Sequence, residues 1–191
     1  VSGLDRALAE EGKRCPKLLV LLNFPNNPTG YVPTRDEGEA IARALEGAAA
    51  RGTRVVAILD DAYFGLFYHL GGPTMTESLF GRLANAHPNL LAIRLDGATK
   101  ELFVWGLRCG FITYGPGRAE GAAAVCEALE AKTKGAIRGA MSNSPQLSQS
   151  LVEKALASST IDAERKQKGE VLRERAERVD AVARAPRFRE S

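Results

Sequence analysis

The chain has 191 residues, 45% of them hydrophobic and 26% charged, with 26 basic against 23 acidic side chains for a formal net charge of +3. That length buries one sizeable core but hardly two full enzyme domains. Charges of both signs are interspersed, which gives no basic groove for nucleic acid, and the longest apolar runs, LLVLL and VVAIL, fall well short of the roughly 20 residues of a bilayer-spanning helix.

In chain order, the opening GLDRALAEEGKR is helix-like and begins without a Met, so the chain is expected to start within a longer protein. Residues 18–24, LLVLLNF, read as a buried strand that stops at the turn-rich NFPNNPTGY. A helix follows, with Thr34 as N-cap, Glu37 completing a capping box and Gly52 as its stop. TRVVAILDDAYFG, residues 53–65, reads as a strand with two carboxylates at its C-terminal end, MTESLFGRLANA (75–86) as a helix, and NLLAIRLDG (89–97) as the next strand. This β, α, β, α, β alternation predicts an α/β fold, a mostly parallel sheet flanked by helices in three layers. GFITYG comes too soon after the third strand for another crossover and is expected to be antiparallel or out of order. From Ala119 the chain reads as helices, the last one strongly charged with a thin apolar stripe. The expected division is a partial cofactor-binding large domain over 1–160 and a long helix over 161–191.

Cys15, Cys109 and Cys126 are odd in number and far apart. They fit reduced thiols of a cytoplasmic protein better than a disulfide framework or a metal site. His69 and His87 read as loop or helix-end residues, and Trp105 as packed within its turn.

In doubly wound sheets the ligand crevice lies beyond the carboxyl ends of the strands. Asn27, Asp60, Asp61, Tyr63 and Lys100 all fall there in this reading. Alone, each is a turn former or a surface residue; the ordered set points to a site.

The succession NFPNNPTGY (23–31), AILDDAYFG (57–65) and GATKELFVWGLRCGF (97–111), with eight positions from Lys100 to Arg108, resembles the motifs of fold-type I, pyridoxal-phosphate-dependent aminotransferases, over roughly residues 1–160. The resemblance implies a chain that is a fragment of the large domain. It implies transfer of an amino group between an amino acid and a 2-oxo acid, through a Schiff base on Lys100 whose freed amine shuttles the proton. It implies that Asp60 salt-bridges the pyridine nitrogen, that Tyr63 and Asn27 bond the 3'-oxygen, and that Arg108 clamps the phosphate. Gly97 stands where the family commonly has a phosphate-binding serine, so Thr99 or the Gly97 N–H is expected to substitute. IRGAMSNSP resembles the aspartate-aminotransferase segment whose arginine, here Arg138, reaches into the neighbouring subunit's site, which implies a homo-oligomer. By the same resemblance the ring-stacking aromatic and the substrate α-carboxylate arginine lie outside the chain, Arg184, Arg187 and Arg189 being too early for the latter, and the chain alone is expected to be inactive or nearly so. Lyase chemistry with the same cofactor, or a cofactor-sensing regulatory module of the same fold, are the alternative functions.

Overall fold

The computed structural model describes residues 1–69, 72–117 and 120–185. Helix α1 (Ser2–Arg14) leads into strand β1 (Lys17–Asn23), followed by α2 (Arg35–Ala50), β2 (Arg54–Asp60), α3 (Leu79–Leu83) and β3 (Leu90–Gly97). A single short helix, α4 (Ala98–Glu101), and a 3-10 turn at Trp105–Leu107 then carry the chain into β4 (Gly110–Gly115). Three further helices follow: α5 (Ala122–Ala140), α6 (Gln146–Leu156) and α7 (Ile161–Ala183). Ala119, where the helical tail was expected to open, and Arg187 and Arg189 lie outside the described residues.

Among the described residues four strands form one sheet, in the order β1-β2-β3-β4. β1 pairs parallel with β2, with Asn23 opposite Asp60, and β2 pairs parallel with β3, with Asp60 opposite Leu95. β4 is antiparallel to β3, as its short connection requires. The fold is therefore α/β, a mostly parallel sheet flanked by helices.

Because both parallel crossovers step in the same direction, right-handedness puts α2 and α3 on one face of the sheet. That face holds the core: Leu22, Val55, Ala57, Leu59, Leu90 and Ala92 from the strands meet Leu8, Ile41, Leu45, Ala48 and Leu83 from the helices. Four alanines of α2, Ala42, Ala44, Ala48 and Ala49, are buried and let its backbone approach the strands closely. Burying a side chain the size of Leu45 or Leu59 stabilises by about 1.5–3 kcal/mol. On the opposite face Leu19 and Leu21 are each 65% exposed. There α5 meets the sheet at its β4 margin, where Thr133 bonds the Tyr114 hydroxyl.

The capping box on α2 forms as read: Thr34 Oγ1 accepts from Glu37 N at 3.2 Å and Glu37 Oε2 from Thr34 N at 2.8 Å. Gly52, at φ 96°, takes the left-handed turn after it. Two elements are shorter than their sequence patterns. The strand expected over 53–65 ends at Asp60, because Asp60 Oδ1 accepts from Ala62 N at 3.2 Å and Phe64 N donates to Asp61 O at 2.8 Å, closing a turn. The helix expected over 75–86 keeps only five residues. Met75 is held to the start of α2 through its N–H to Pro33 O at 2.8 Å, Ser78 caps at Phe80 N, and Asn85 turns left-handed at φ 60°.

Candidate functional site

Strands β2 and β3 are neighbours, so their C-terminal residues and the turns after them open onto one place. A cleft of about 580 Å³ forms there, lined among others by Asp60, Tyr63, Gly97, Thr99, Lys100 and Arg108. Five of the seven sequence-expected site residues therefore line one cleft: Asp60, Tyr63, Thr99, Lys100 and Arg108. Asn27 stands at its margin, its Nδ2 3.4 Å from the Tyr63 hydroxyl. Strand pairing puts Asp60 on the same face as Leu95 and therefore on the open side of the sheet. Asp61 follows it and turns away from the cleft, into a site where it is 5% exposed.

Lys100 is on α4, one helical turn after the β3 exit, with its Nζ 5.3 Å from the Tyr63 ring centroid. Such a contact attracts an ammonium electrostatically and holds the chain over the ring. Arg108 adopts a left-handed backbone, φ 49° and ψ 45°, directly after the 3-10 turn, and Nη1 donates to Trp105 O at 3.4 Å. Expectation and structure part at this turn. Trp105 is 62% exposed rather than packed, and Arg108 is exposed too. The Gly97 N–H, expected to be free for an anion, donates to Asp96 Oδ1 at 2.7 Å, which leaves the Thr99 hydroxyl of the two groups expected to substitute for the family's serine.

The turn-rich NFPNNPTGY is organised by its first two asparagines. Asn23 Oδ1 accepts from Asn27 N at 2.9 Å and from Asn26 Nδ2 at 3.2 Å, while Asn23 Nδ2 donates to Asp60 O at 3.1 Å. Asn26 Oδ1 accepts from the Thr29 hydroxyl at 2.6 Å and its backbone closes the loop with Tyr31 and Gly30. The Phe24–Pro25 and Asn27–Pro28 peptide bonds are both cis. Asn23, an ordinary turn residue by sequence, thus ties the Asn27 loop to the backbone of Asp60. Its place opposite Asp60 in the β1–β2 register is what sequence alone did not supply.

Beside the cleft, which Asp96 also lines, lies a charged group that the sequence pattern did not assemble. Arg94 Nε donates to Asp61 Oδ2 at 2.7 Å, its Nη2 lies 2.9 Å from Asp96 Oδ2, and its guanidinium stacks 4.7 Å from the Phe64 ring centroid. Glu101, next to Lys100, pairs with Arg165 of α7. Burial pushes the Asp61 carboxyl up, an effect that its bonds to Ser78 and Arg94 oppose without cancelling. Burial likewise raises Glu101 against the pull of Arg165.

Arg138 lies outside the cleft of its own chain; its Nη1 donates to Ser142 Oγ at 2.8 Å. Arg184 pairs with Asp180. His69 and His87 serve loops, bonding Thr74 and the Asn89 N–H. A larger groove of about 820 Å³ runs between Tyr31 and Tyr68 at the start of α2. The cleft is the better site, because among the described residues the groove is lined by no lysine, and its polar groups are already engaged: the Thr34 and Glu37 side chains each bond the other's backbone N–H, and Thr74 bonds His69.

The model of a protein family described as aminotransferase class I and II matches residues 1–186. Histidinol-phosphate aminotransferase 2 of Cupriavidus pinatubonensis is 33% identical over 115 residues, which are 59% of this chain and 27% of that protein. Among solved structures, an aminotransferase of Anaerococcus prevotii is similar with a TM-score of 0.72 at 24% identity, over 89% of this chain and 40% of its own. An aromatic-amino-acid aminotransferase of Burkholderia pseudomallei, covalently bound to pyridoxal phosphate, is similar with a TM-score of 0.63 at 24% identity, over 90% of this chain and 40% of its own. The aspartate aminotransferase of Saccharomyces cerevisiae cytoplasm gives 0.67 at 18% identity over the same shares. These structural likenesses establish the fold. The chain spans 27–40% of the length of these relatives.

Proposed function

The chain belongs to the aminotransferase class I and II family, and from that premise we propose that its cleft serves amino-group transfer between an amino acid and a 2-oxo acid, with pyridoxal phosphate held on Lys100. The observation that carries the reading is the convergence of Asp60, Tyr63, Thr99, Lys100 and Arg108 on one cleft. Their chemistry suits the cofactor: a carboxylate for a pyridinium nitrogen, an amine for an aldehyde, and a guanidinium and a hydroxyl for a phosphate.

When bound, pyridoxal phosphate supplies a sink for the electron pair left as the α-C–H bond of an amino acid breaks. The chain's residues do the rest. Asp60, on the open face at the end of β2, would keep a proton on the ring nitrogen by its negative charge. The Tyr63 hydroxyl and the Asn27 amide, 3.4 Å apart, can donate to the same ring oxygen. Arg108 and Thr99 would hold the phosphate, the guanidinium by a bidentate pair that a lysine would not reproduce. Lys100 Nζ would take up the aldehyde and, once displaced by substrate, move the proton from the substrate α-carbon. Arg138, outside the cleft, fits this reading only by serving a neighbouring subunit. A homo-oligomer belongs to the same proposal, supported by the family and by exposed apolar residues such as Leu147 and Leu151 on α6. A clean monomer by light scattering at high concentration would count against it.

The test is to incubate the protein with pyridoxal phosphate, reduce with borohydride and map the adduct by mass spectrometry. A single dominant adduct at Lys100, lost in Lys100→Ala, is the expected outcome. An adduct spread evenly over the surface lysines, or none, would sink the assignment. The 191-residue chain by itself is expected to turn over far below the typical range of about 1–10³ s⁻¹; transamination at ordinary enzymatic rates would overturn that part.

A further inference from the structure

The turn carrying Lys100 has little means of holding itself in place. α4 is four residues long, and its N-cap, Gly97, offers no side chain; so short a helix gains almost nothing from its own hydrogen bonds. Placement of the amine in the cleft it shares with Asp60 has to come from tertiary ties: Ala98 N donates to Cys109 O at 3.1 Å, and side-chain pairs stand on both flanks. Upstream, the Arg94 guanidinium spans two carboxylates, Asp61 at 2.7 Å and Asp96 at 2.9 Å. The other oxygen of Asp96 accepts the Gly97 N–H at 2.7 Å, the first amide before α4. Downstream, Glu101 is joined to Arg165 at 2.5 Å.

We propose that Arg94, forked between Asp61 and Asp96, is a positioning residue that fixes the Lys100 turn relative to Asp60, with the Glu101–Arg165 pair securing the far side. The inference rests on the reading of Lys100 as the cofactor lysine. The geometry favours arginine specifically, since one planar group must reach the residue after Asp60 through Nε and the exit of β3 through Nη2 at once. A lysine ammonium has no such fixed fork. Phe64 covers the guanidinium face 4.7 Å away, so the fork is also held against rotation. Loss of Arg94 leaves Asp61 and Asp96 without their shared cation in a largely dry site, and they must move apart or admit water. Asp96 carries Gly97 with it.

Hydrogen–deuterium exchange on the chain, free of cofactor, tests this. In Arg94→Gln the peptide covering 97–104 is expected to exchange about tenfold faster. Its protected amides include Leu102, bonded to Ala98 O, and Val104, bonded to Thr99 O. Peptides covering β2 and α2 should keep their wild-type rates, and Arg94→Lys should fall between wild type and Gln. A merely structural role would instead speed all core peptides together through global unfolding. Asp96→Asn, whose amide oxygen can still accept the Gly97 N–H but cannot pair with Arg94, is expected to give a smaller local acceleration of about threefold. An unchanged 97–104 peptide, or uniform acceleration, would overturn the proposal; should Arg94→Gln fail to fold, Asp96→Asn decides on the same criteria. In folded variants the borohydride-trapped adduct at Lys100 should fall at least about threefold. A wild-type protein that takes no adduct would refute the cofactor reading, while local acceleration in Arg94→Gln would still show that Arg94 holds the turn.

Discussion

Where α1–α3 cover the sheet, Val55, Ala57, Leu59, Leu90 and Ala92 are at most 2% exposed, whereas on the opposite face Leu19 and Leu21 are 65% exposed. The two faces are built from the same aliphatic residues, because strands in parallel sheets read as continuous apolar runs rather than alternating ones. What separates them is the direction of the crossovers, which stacks α2 and α3 on one side. The difference divides the labour: the covered face carries the stability of the chain, and the open face carries, at its C-terminal end, the cleft with Asp60 and Lys100. Charge follows the same division. Asp60 looks into the cleft, while Asp61, one residue on, is buried with Arg94.

The largest effect is expected on the covered face. Leu59→Ala and Leu45→Ala should each cost about 2–5 kcal/mol of stability by urea unfolding, as large-to-small changes in a closed core do. Thr34→Ala, which removes the capping-box hydroxyl of α2, should cost about 1 kcal/mol. A pH series of melting temperatures sharpens the contrast between buried and exposed acids. Bonds from Thr34 and Tyr31 hold the Glu37 carboxyl below its ordinary range, so its contribution is present at neutral pH and is lost as pH falls through that lowered value. Glu37→Gln should therefore lose its deficit relative to wild type in acid. Asp61 is raised by burial, so its contribution is present in acid and is lost as pH rises through the raised value. Relative to wild type, Asp61→Asn should gain ground across that window, whatever its constant offset from the lost Arg94 pair. The smallest effect belongs to the open face: Leu21→Ser should change stability by no more than about 0.5 kcal/mol. A cost like that of Leu59→Ala would show that this face is covered in solution.

Local signals were the most legible. The capping box at Thr34 and Glu37 and the apolar runs of the three parallel strands follow from neighbours within a few residues, and the structure keeps them; for GFITYG, expected to be antiparallel or out of order, it shows the antiparallel return. The ends of elements were less so. The 75–86 pattern yields only Leu79–Leu83, because Met75 is captured by Pro33, forty-two positions upstream, and no local period encodes that bond. Of the site, the residues carrying motif chemistry could be named from their order along the chain, since each follows a strand and strands open on one edge. Asn23, Arg94 and Asp96 could not, because their partners lie across the β1–β2 register or through a buried carboxylate.

By itself the sequence determined the fold class and the family resemblance, and it named five residues that line one cleft, because hydrophobic period and motif order are written along the chain. Only the tertiary structure decided which sheet face closes, that the Gly97 N–H is already engaged, that Arg108 and Trp105 stand exposed, and that the Arg94 guanidinium bonds both Asp61 and Asp96. These depend on strand order, crossover direction and the burial of charge, which arise only when distant segments share one volume.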